Sequence, residues 1–204
     1  QLGGDIFGFH WLDTDNFAMY LIDVCGHGVG PALLSATALG VISRQSLPAI
    51  DFRDPAAVLT ELSKSFQMEK HNYMYFTIWY GVYNKRKRRI TYSGGGHPPA
   101  ILFTGNMNDK LNTVQLKSNG PVIGCGIDIN FSNLSVEIDK IAKLFIYSDG
   151  VFEISDLEGN FIKYENYLYI LSNAVKQCID SSCVNYLKNN MIELRGVPYF
   201  EDDF

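Results

Sequence analysis

The sequence predicts an α+β protein in which antiparallel sheets are segregated from pairs of helices. Most segments with the period of two that is typical of strands follow one another along the chain. Two pairs of segments with a helical period interrupt or end this series. Because strands and helices do not alternate one by one, the pattern does not favour a doubly wound parallel sheet.

The first predicted unit is a hairpin of two strands, Ile6–Trp11 and Phe17–Val24. Residues 13–16 between them have the composition of a tight turn. Antiparallel strands align their residues symmetrically about a turn, so we expect Asp5 to lie opposite the neighbourhood of Asp23. Two carboxylates would then reach the same end of the sheet.

Two helices are predicted after this hairpin. Pro31 fits the first turn of a helix that runs to about Gln45. Asp54 is a typical capping residue and Pro55 a typical first helical residue, so a second helix is expected from there to Glu69. Apolar residues recur at helical spacing in both segments, which predicts that one face of each is buried.

The remaining elements are mostly strands. They are predicted at Tyr73–Tyr83, Ile90–Ser93, Ala100–Thr104, Thr113–Lys117, Leu134–Ile138 and Lys143–Tyr147. Two closing helices are predicted at Tyr164–Lys176 and Ser181–Leu194. The basic run Lys85–Arg89 is interpreted as the solvated tip of a hairpin, with a docking patch for an acidic partner as the alternative.

Length and charge restrict the class of protein. The 204 residues fit a single domain, 1–204, and a net charge of -5 argues against nucleic acid as the partner. No apolar stretch is long enough to span a bilayer, so we expect no membrane contact and a cytoplasmic location. The chain opens on its first motif at Gln1, and we expect a domain cut at both ends from a longer signalling protein.

Carboxylates cluster in four short motifs, three of which contain glycine, at Gly3–Asp5, Asp23–Gly28, Tyr147–Gly150 and Glu201–Asp203. Each group opens or closes an apolar, strand-like run, so these carboxylates can gather at one end of the sheets. Clustered carboxylates repel one another unless a positive charge lies among them, and divalent cations prefer such oxygen ligands. A metal-dependent enzyme is therefore predicted. Ordinary turns and a frayed acidic tail are the alternatives.

The motif series supports a more specific hypothesis. The segments GGD, DVCGHG, FTIWYG, SGGGHPPA, GPVIG, IYSDGVFE and EDDF occur in this order along the whole chain. This series resembles the metal-dependent serine/threonine protein phosphatases of the PPM or type 2C superfamily, in particular the bacterial sporulation and stress-response branch. The resemblance implies a four-layer α-β-β-α sandwich, in which helix pairs flank two central antiparallel sheets, and two Mn²⁺ or Mg²⁺ ions at one end.

By motif position, the resemblance implies five metal-ligating residues: Asp5, Asp23, Val24, Asp149 and Asp202. Asp5 would serve the first metal, Asp23 would bridge both metals, and Val24 would contribute its backbone carbonyl. Asp149 and Asp202 would complete the second metal. Asp202 is preferred over Asp203 because the last motif aligns on its first aspartate.

The expected reaction is hydrolysis of phosphoserine or phosphothreonine by a water that bridges the two metals, without a phosphoenzyme. The resemblance implies a phosphorylated regulatory protein of the anti-anti-sigma type as substrate, and an upstream sensor domain in the parent chain. His27 is interpreted as a structural imidazole, or alternatively as a general acid. His97 is interpreted as a packing histidine in a tight turn. A catalytically inactive binding module, or more remotely a nuclease or sugar phosphatase, is the alternative function.

Overall fold

The computed structural model of the chain describes residues 3–106, 111–125, 130–177 and 182–197. The chain divides into two compact units, residues 1–147 and 148–204. Asp202 and Asp203 lie outside the described residues. The prediction of one domain over 1–204 stays a prediction.

Eight strands and four α-helices form within the described residues. The strands are β1 (Ile6–Trp11), β2 (Asn16–Val24), β3 (Phe76–Asn84), β4 (Arg89–Gly95), β5 (Ala100–Gly105), β6 (Asn112–Leu116), β7 (Leu134–Glu137) and β8 (Ile141–Phe145). The helices are α1 (Val29–Ser43), α2 (Pro55–Ser65), α3 (Tyr164–Gln177) and α4 (Ser182–Arg195). The α+β class, with two antiparallel sheets and two pairs of helices, is confirmed.

Most predicted elements are correct to within two or three residues, and α2 differs most at its C-terminal end. The helix ends at Ser65 rather than Glu69, and a short 3₁₀ turn follows at Met68–Lys70. The strand predicted from Tyr73 starts only at Phe76. Asn72 and Tyr73 have φ angles of 53° and 59°, which are incompatible with a strand.

Two antiparallel sheets are stacked in the first unit. The large sheet has the order β1-β2-β3-β4-β7, and the small sheet has the order β6-β5-β8. One apolar cluster joins Trp79 and Tyr92 of the large sheet to Leu102 and Leu116 of the small sheet. Trp79 and Leu102 are fully buried, so this cluster packs the two sheets against each other.

The opposite face of the large sheet packs against α1 and α2. Its second apolar cluster combines Ile22 and Ile78 from the strands with Ala38 from α1 and Leu59 from α2. The start of α2 follows the predicted signal: the Asp54 carboxylate accepts a hydrogen bond of 3.1 Å from the Ala57 backbone N–H. These contacts fix the strands whose ends carry the candidate site.

The second unit contains the helical pair α3 and α4, which pack against each other. Tyr167 and Leu171 form part of the buried face of α3. The predicted ligand Asp149 begins a 3₁₀ turn at Asp149–Val151, and its backbone carbonyl accepts hydrogen bonds from the N–H groups of Phe152 and Glu153. Asp149 is thus held at a defined position within this unit.

Candidate metal centre

The first two strands bring two predicted ligands together at one end of the large sheet. Ile6 pairs with Ile22 in the antiparallel ladder of β1 and β2. One step further along the same register, Asp5 lies opposite Asp23. The prediction that the hairpin aligns these two aspartates is confirmed. We call Asp5, Asp23 and the Val24 backbone carbonyl the carboxylate end of the sheet.

Gly4 brings the backbone close to the third predicted ligand. A Cβ atom added to Gly4 would lie 2.4 Å from the Val24 carbonyl oxygen and 3.3 Å from the Gly26 carbonyl oxygen. Real Cβ atoms do not approach backbone oxygens so closely, so the chain passes this carbonyl only with glycine at position 4. The glycine of the GGD motif therefore has a packing reason that the sequence alone does not reveal.

Strand β3 forms the other side of the carboxylate end. Asp23 pairs with Thr77 across the β2–β3 ladder. Two residues after Asp23, the Cys25 N–H donates a hydrogen bond of 3.1 Å to the Tyr75 carbonyl. The Tyr75 N–H in turn donates to the Cys25 Sγ at 3.3 Å. This exchange of hydrogen bonds fixes the start of the DVCGHG loop against β3.

The two glycine-rich motifs meet beside β3. Gly95 bridges to Gly120, and the Gly96 N–H donates to the Gly120 carbonyl at 2.8 Å. Ile123 of the same GPVIG motif bridges to Phe76 at the start of β3. The segments SGGGHPPA and GPVIG, remote from each other in sequence, thus pack together next to the carboxylate end.

His97 lies in this glycine-rich region and is only 8% exposed. Its Nδ1 is 3.0 Å from the Pro98 carbonyl oxygen. Burial lowers the pKa of His97 to about 4, although the hydrogen bond to Pro98 acts in the opposite direction. The imidazole is therefore neutral near pH 7. The interpretation of His97 as a buried histidine at a turn agrees with this placement.

His27 differs from His97 in its surroundings. Its side chain is exposed and forms no hydrogen bond with the part of the chain that the structure describes. The exposed imidazole lies in the loop between the carboxylate end and the start of α1. Its role, structural or as a general acid, stays a prediction.

The chemistry of the donors at the carboxylate end suits a hard divalent cation. Two carboxylates and one backbone carbonyl offer only oxygen atoms, which Mg²⁺ and Mn²⁺ prefer. Within the described ranges, no three or more His, Cys, Asp or Glu side chains form a group that could hold a metal ion. The predicted set also needs Asp149, which belongs to the second unit, and Asp202, which lies outside the described residues.

The other end of the large sheet is rich in charges that are paired with one another. Arg86 contacts Asp15 at 2.8 Å, and Lys85 contacts the same carboxylate at 3.8 Å. The Arg53 guanidinium forms a bidentate pair with the Asp51 carboxylate. These hydrogen bonds stabilise the ionised form and lower the pKa of the Asp51 carboxyl. We call Asp15, Asp51, Arg53, Lys85 and Arg86 the charged end. Asp15 partly neutralises the basic run Lys85–Arg89, for which a docking patch is the alternative interpretation.

Solved structures share this architecture. The SiaA-PP2C domain of Pseudomonas aeruginosa superposes with a TM-score of 0.81 at 20% identity, over 99% of this chain and 78% of that chain. The PP2C phosphatase domain of SpoIIE from Bacillus subtilis, solved with a fragment of its regulatory domain, gives 0.77 at 18% identity, over 100% of this chain and 55% of that chain. The fold is therefore that of the PP2C-type phosphatases.

The family follows from the sequence match. The model of the family "Stage II sporulation protein E (SpoIIE)" matches residues 13–204, and the chain belongs to this family. The resemblance inferred from the motif series is confirmed.

Two curated relatives are named phosphoserine phosphatases. RsbP of Bacillus subtilis is 28% identical over 75% of this chain and 37% of its own length. RsbU of the same organism is 27% identical over 100% of this chain and 58% of its own length. The chain thus spans between about a third and three fifths of these relatives. Among the described residues, no helix combines the length and apolar character needed to cross a membrane.

Proposed function

We propose that the chain hydrolyses phosphoserine or phosphothreonine on a regulatory protein, in a reaction that depends on two divalent metal ions, Mn²⁺ or Mg²⁺. One observation carries the proposal: the hairpin register sets Asp5 beside Asp23, next to the Val24 carbonyl, in a chain of the SpoIIE family. Two neighbouring carboxylates at a sheet end repel each other, and a bound cation removes this repulsion.

Each residue of the carboxylate end has a defined task in this proposal. Asp23 lies in β2 and Asp5 directly precedes β1, so the ladder of these two strands holds both carboxylates at the same sheet end. Val24 supplies a neutral carbonyl oxygen, against which a Cβ atom at position 4 would collide, so that glycine at this position leaves room beside it. When bound, the cations neutralise phosphoryl oxygens and lower the pKa of water, so that hydroxide is available near neutral pH.

Asp149 and Asp202 complete the proposed ligand set. Their assignment rests on the motifs IYSDGVFE and EDDF of the family pattern. No catalytic side chain is assigned in this proposal: His27, whose imidazole is exposed within the DVCGHG loop, keeps its interpretation as a structural imidazole, with a general acid toward the leaving alkoxide as the alternative. His27 is not required for the attack itself in this proposal.

The proposed substrate is a protein rather than a small phosphate ester. The names of the relatives RsbP and RsbU, phosphoserine phosphatases, support a phosphoserine substrate. A solved structure with the same fold and a TM-score of 0.64, described under the bacterial stressosome as a modular system that controls secondary messenger signalling, supports a signalling context. We propose a phosphorylated partner of the anti-anti-sigma type, an upstream sensor domain in the parent protein and action in the cytoplasm.

Phosphate release from a phosphoserine peptide, measured with and without Mn²⁺, tests the proposal. We expect Mn²⁺-dependent turnover that Asp23→Asn lowers by more than about 100-fold, because even partners of metal ligands typically contribute 10–100-fold. The matched control is Asp15→Asn, which removes an aspartate of the same hairpin at the charged end and should keep turnover within about twofold. Equal turnover of Asp23→Asn and the wild type would overturn the proposed site.

A further inference from the structure

Two buried polar atoms lie beside the carboxylate end without a hydrogen-bond partner in the described part of the chain. They are the Thr77 Oγ1 and the His97 Nε2. An unpartnered buried polar atom destabilises the folded state, so native proteins rarely keep one without a reason. Two such atoms near one candidate site point to a shared task.

Thr77 continues the row of polar residues across the sheet. It pairs directly with Asp23, on the side of β2 opposite to β1. Side chains of directly opposed residues project from the same face, with Cβ atoms about 4.5–5.5 Å apart. The Thr77 hydroxyl is therefore within reach of the Asp23 carboxylate by rotation about one side-chain bond.

Gly96 brings the backbone next to His97 into contact with Thr77. Gly96 has a φ of 67°, and an added Cβ atom would lie 3.4 Å from the Thr77 Cγ2 and 2.6 Å from the Val122 Cγ1. A side chain at position 96 would thus be strained and would collide with Val122. Glycine lets the chain turn here, so that Gly96, the residue directly before the buried His97, lies close to Thr77.

The tautomer of His97 defines what its free nitrogen can bind. A carbonyl oxygen only accepts hydrogen bonds, so the contact with Pro98 assigns the proton to Nδ1. The Nε2 of a neutral ring then carries a lone pair and only accepts. It would repel a phosphoryl dianion, and it suits a water or hydroxyl group instead.

We propose that one water molecule links the His97 Nε2 to the Thr77 hydroxyl, and that this link makes both side chains positioning residues for the Asp23 carboxylate. The water donates one hydrogen to Nε2 and the other to the Thr77 oxygen, and the Thr77 O–H donates to Asp23. Both hydrogens of the water and the Thr77 hydroxyl hydrogen then have an acceptor, and the His97 Nε2 has a donor. A buried water needs at least two polar partners, which His97 and Thr77 provide.

This inference rests on the proposed function, because it gives Asp23 the role of a metal ligand. Hydrogen bonds from a second layer of residues orient the ligands of a metal and typically change its affinity by 10–100-fold. We therefore expect Thr77 and His97 to tune metal affinity without touching the metal.

Calorimetric titration with Mn²⁺ tests the link. Thr77→Val keeps the shape but removes the hydroxyl, and should weaken Mn²⁺ binding by about 10-fold or more. Thr77→Ser restores the hydroxyl and should return affinity to within about threefold of the wild type. His97→Leu should weaken binding like Thr77→Val, whereas His97→Gln retains an acceptor and should recover part of the affinity.

A double-mutant cycle shows whether the two residues act through one link. If they do, Thr77→Val combined with His97→Leu binds Mn²⁺ about as well as either single variant. Controls are Thr91→Val, a threonine of β4 near the charged end, and His10→Gln, another histidine with a buried, unpartnered Nε2. Both controls should keep wild-type affinity, and thermal unfolding of the metal-free variants identifies any loss of fold.

The outcomes separate this inference from the proposed function. Wild-type affinity in Thr77→Val, additive losses in the cycle, or loss of a whole Mn²⁺ equivalent in His97→Leu would each overturn the water link. If Asp23→Asn still loses Mn²⁺ in those cases, the proposed function stands. If the wild type itself binds no Mn²⁺, both proposals are overturned. Coupled losses with rescue by Thr77→Ser support the link.

Discussion

The two ends of the large sheet are built from the same strands but satisfy their polar groups differently. At the charged end, Asp15 is paired with Arg86 and Lys85, and Asp51 is paired with Arg53. Beside the carboxylate end, the Thr77 hydroxyl and the His97 Nε2 are buried without a partner in the described ranges. At the charged end, the charges of the loops neutralise one another. Beside the carboxylate end, two buried polar atoms are left to bind further atoms, as we expect near a binding site.

The pH dependence of stability is the largest effect that distinguishes the two ends. The folded protein holds the pKa of His97 at about 4, whereas the ordinary value is 6.5. Above pH 6.5 the ring is neutral in both the folded and unfolded states. As pH falls from 6.5 to about 4 only the unfolded state gains the proton, so up to about 3 kcal/mol of folding free energy is lost.

Denaturant unfolding of the wild type and His97→Gln, measured between pH 7 and pH 4, checks this sign. The wild type should lose more folding free energy over that interval than the variant. Titrating carboxylates are common to both proteins and cancel in the difference. The same loss in both proteins would show that His97 does not distinguish the carboxylate end.

A methyl group at Gly4 should disturb the carboxylate end alone. Gly4→Ala places a Cβ atom 2.4 Å from the Val24 carbonyl oxygen, so the backbone must move. We expect a loss of about 1–3 kcal/mol in the free energy of unfolding and weaker Mn²⁺ binding. Denaturant unfolding and calorimetry measure both quantities.

Gly40→Ala is the matched control for Gly4→Ala. Gly40 lies within α1, and an added Cβ atom would meet nothing within 4 Å. The control should be more stable than the wild type by about 0.5–1 kcal/mol, because alanine favours a helix over glycine, and its Mn²⁺ affinity should be unchanged. If both variants weakened Mn²⁺ binding equally, the close approach at Gly4 would not explain the effect.

The smallest expected effect is at the charged end. Arg86→Gln removes the closest cation from Asp15, but the Arg86 side chain is 76% exposed and its pair is screened by water. We expect a change of less than about 0.5 kcal/mol in stability and unaltered phosphate release. A large loss of turnover in the same phosphopeptide assay would show that the basic run contributes to substrate docking.

Structural features that depend on residues close together in the chain could be predicted from the sequence. The turn at residues 13–16 fixes the alignment of Asp5 with Asp23, because a hairpin register depends only on the position of the turn. The start of α2 is equally local, since Asp54 and Pro55 carry the signal within two residues.

Contacts between segments that are far apart in the sequence could not be predicted in the same way. Strand β7 pairs with β4 across some forty intervening residues, and no pattern in either segment specifies that partner. The bridge between Gly95 and Gly120 depends on the packing of both glycine-rich motifs. The burial of His97 follows from that packing, so its unpartnered Nε2 is visible only in the structure.

Titration of the wild type with Mn²⁺, beside Asp5→Asn, Asp23→Asn and Asp15→Asn, tests most directly whether the carboxylate end holds metal. We expect more than one bound Mn²⁺ per wild-type chain, with loss of binding in Asp5→Asn and Asp23→Asn and no change in Asp15→Asn. Mn²⁺ binding that survives in both Asp5→Asn and Asp23→Asn, with the fold intact, would contradict this expectation.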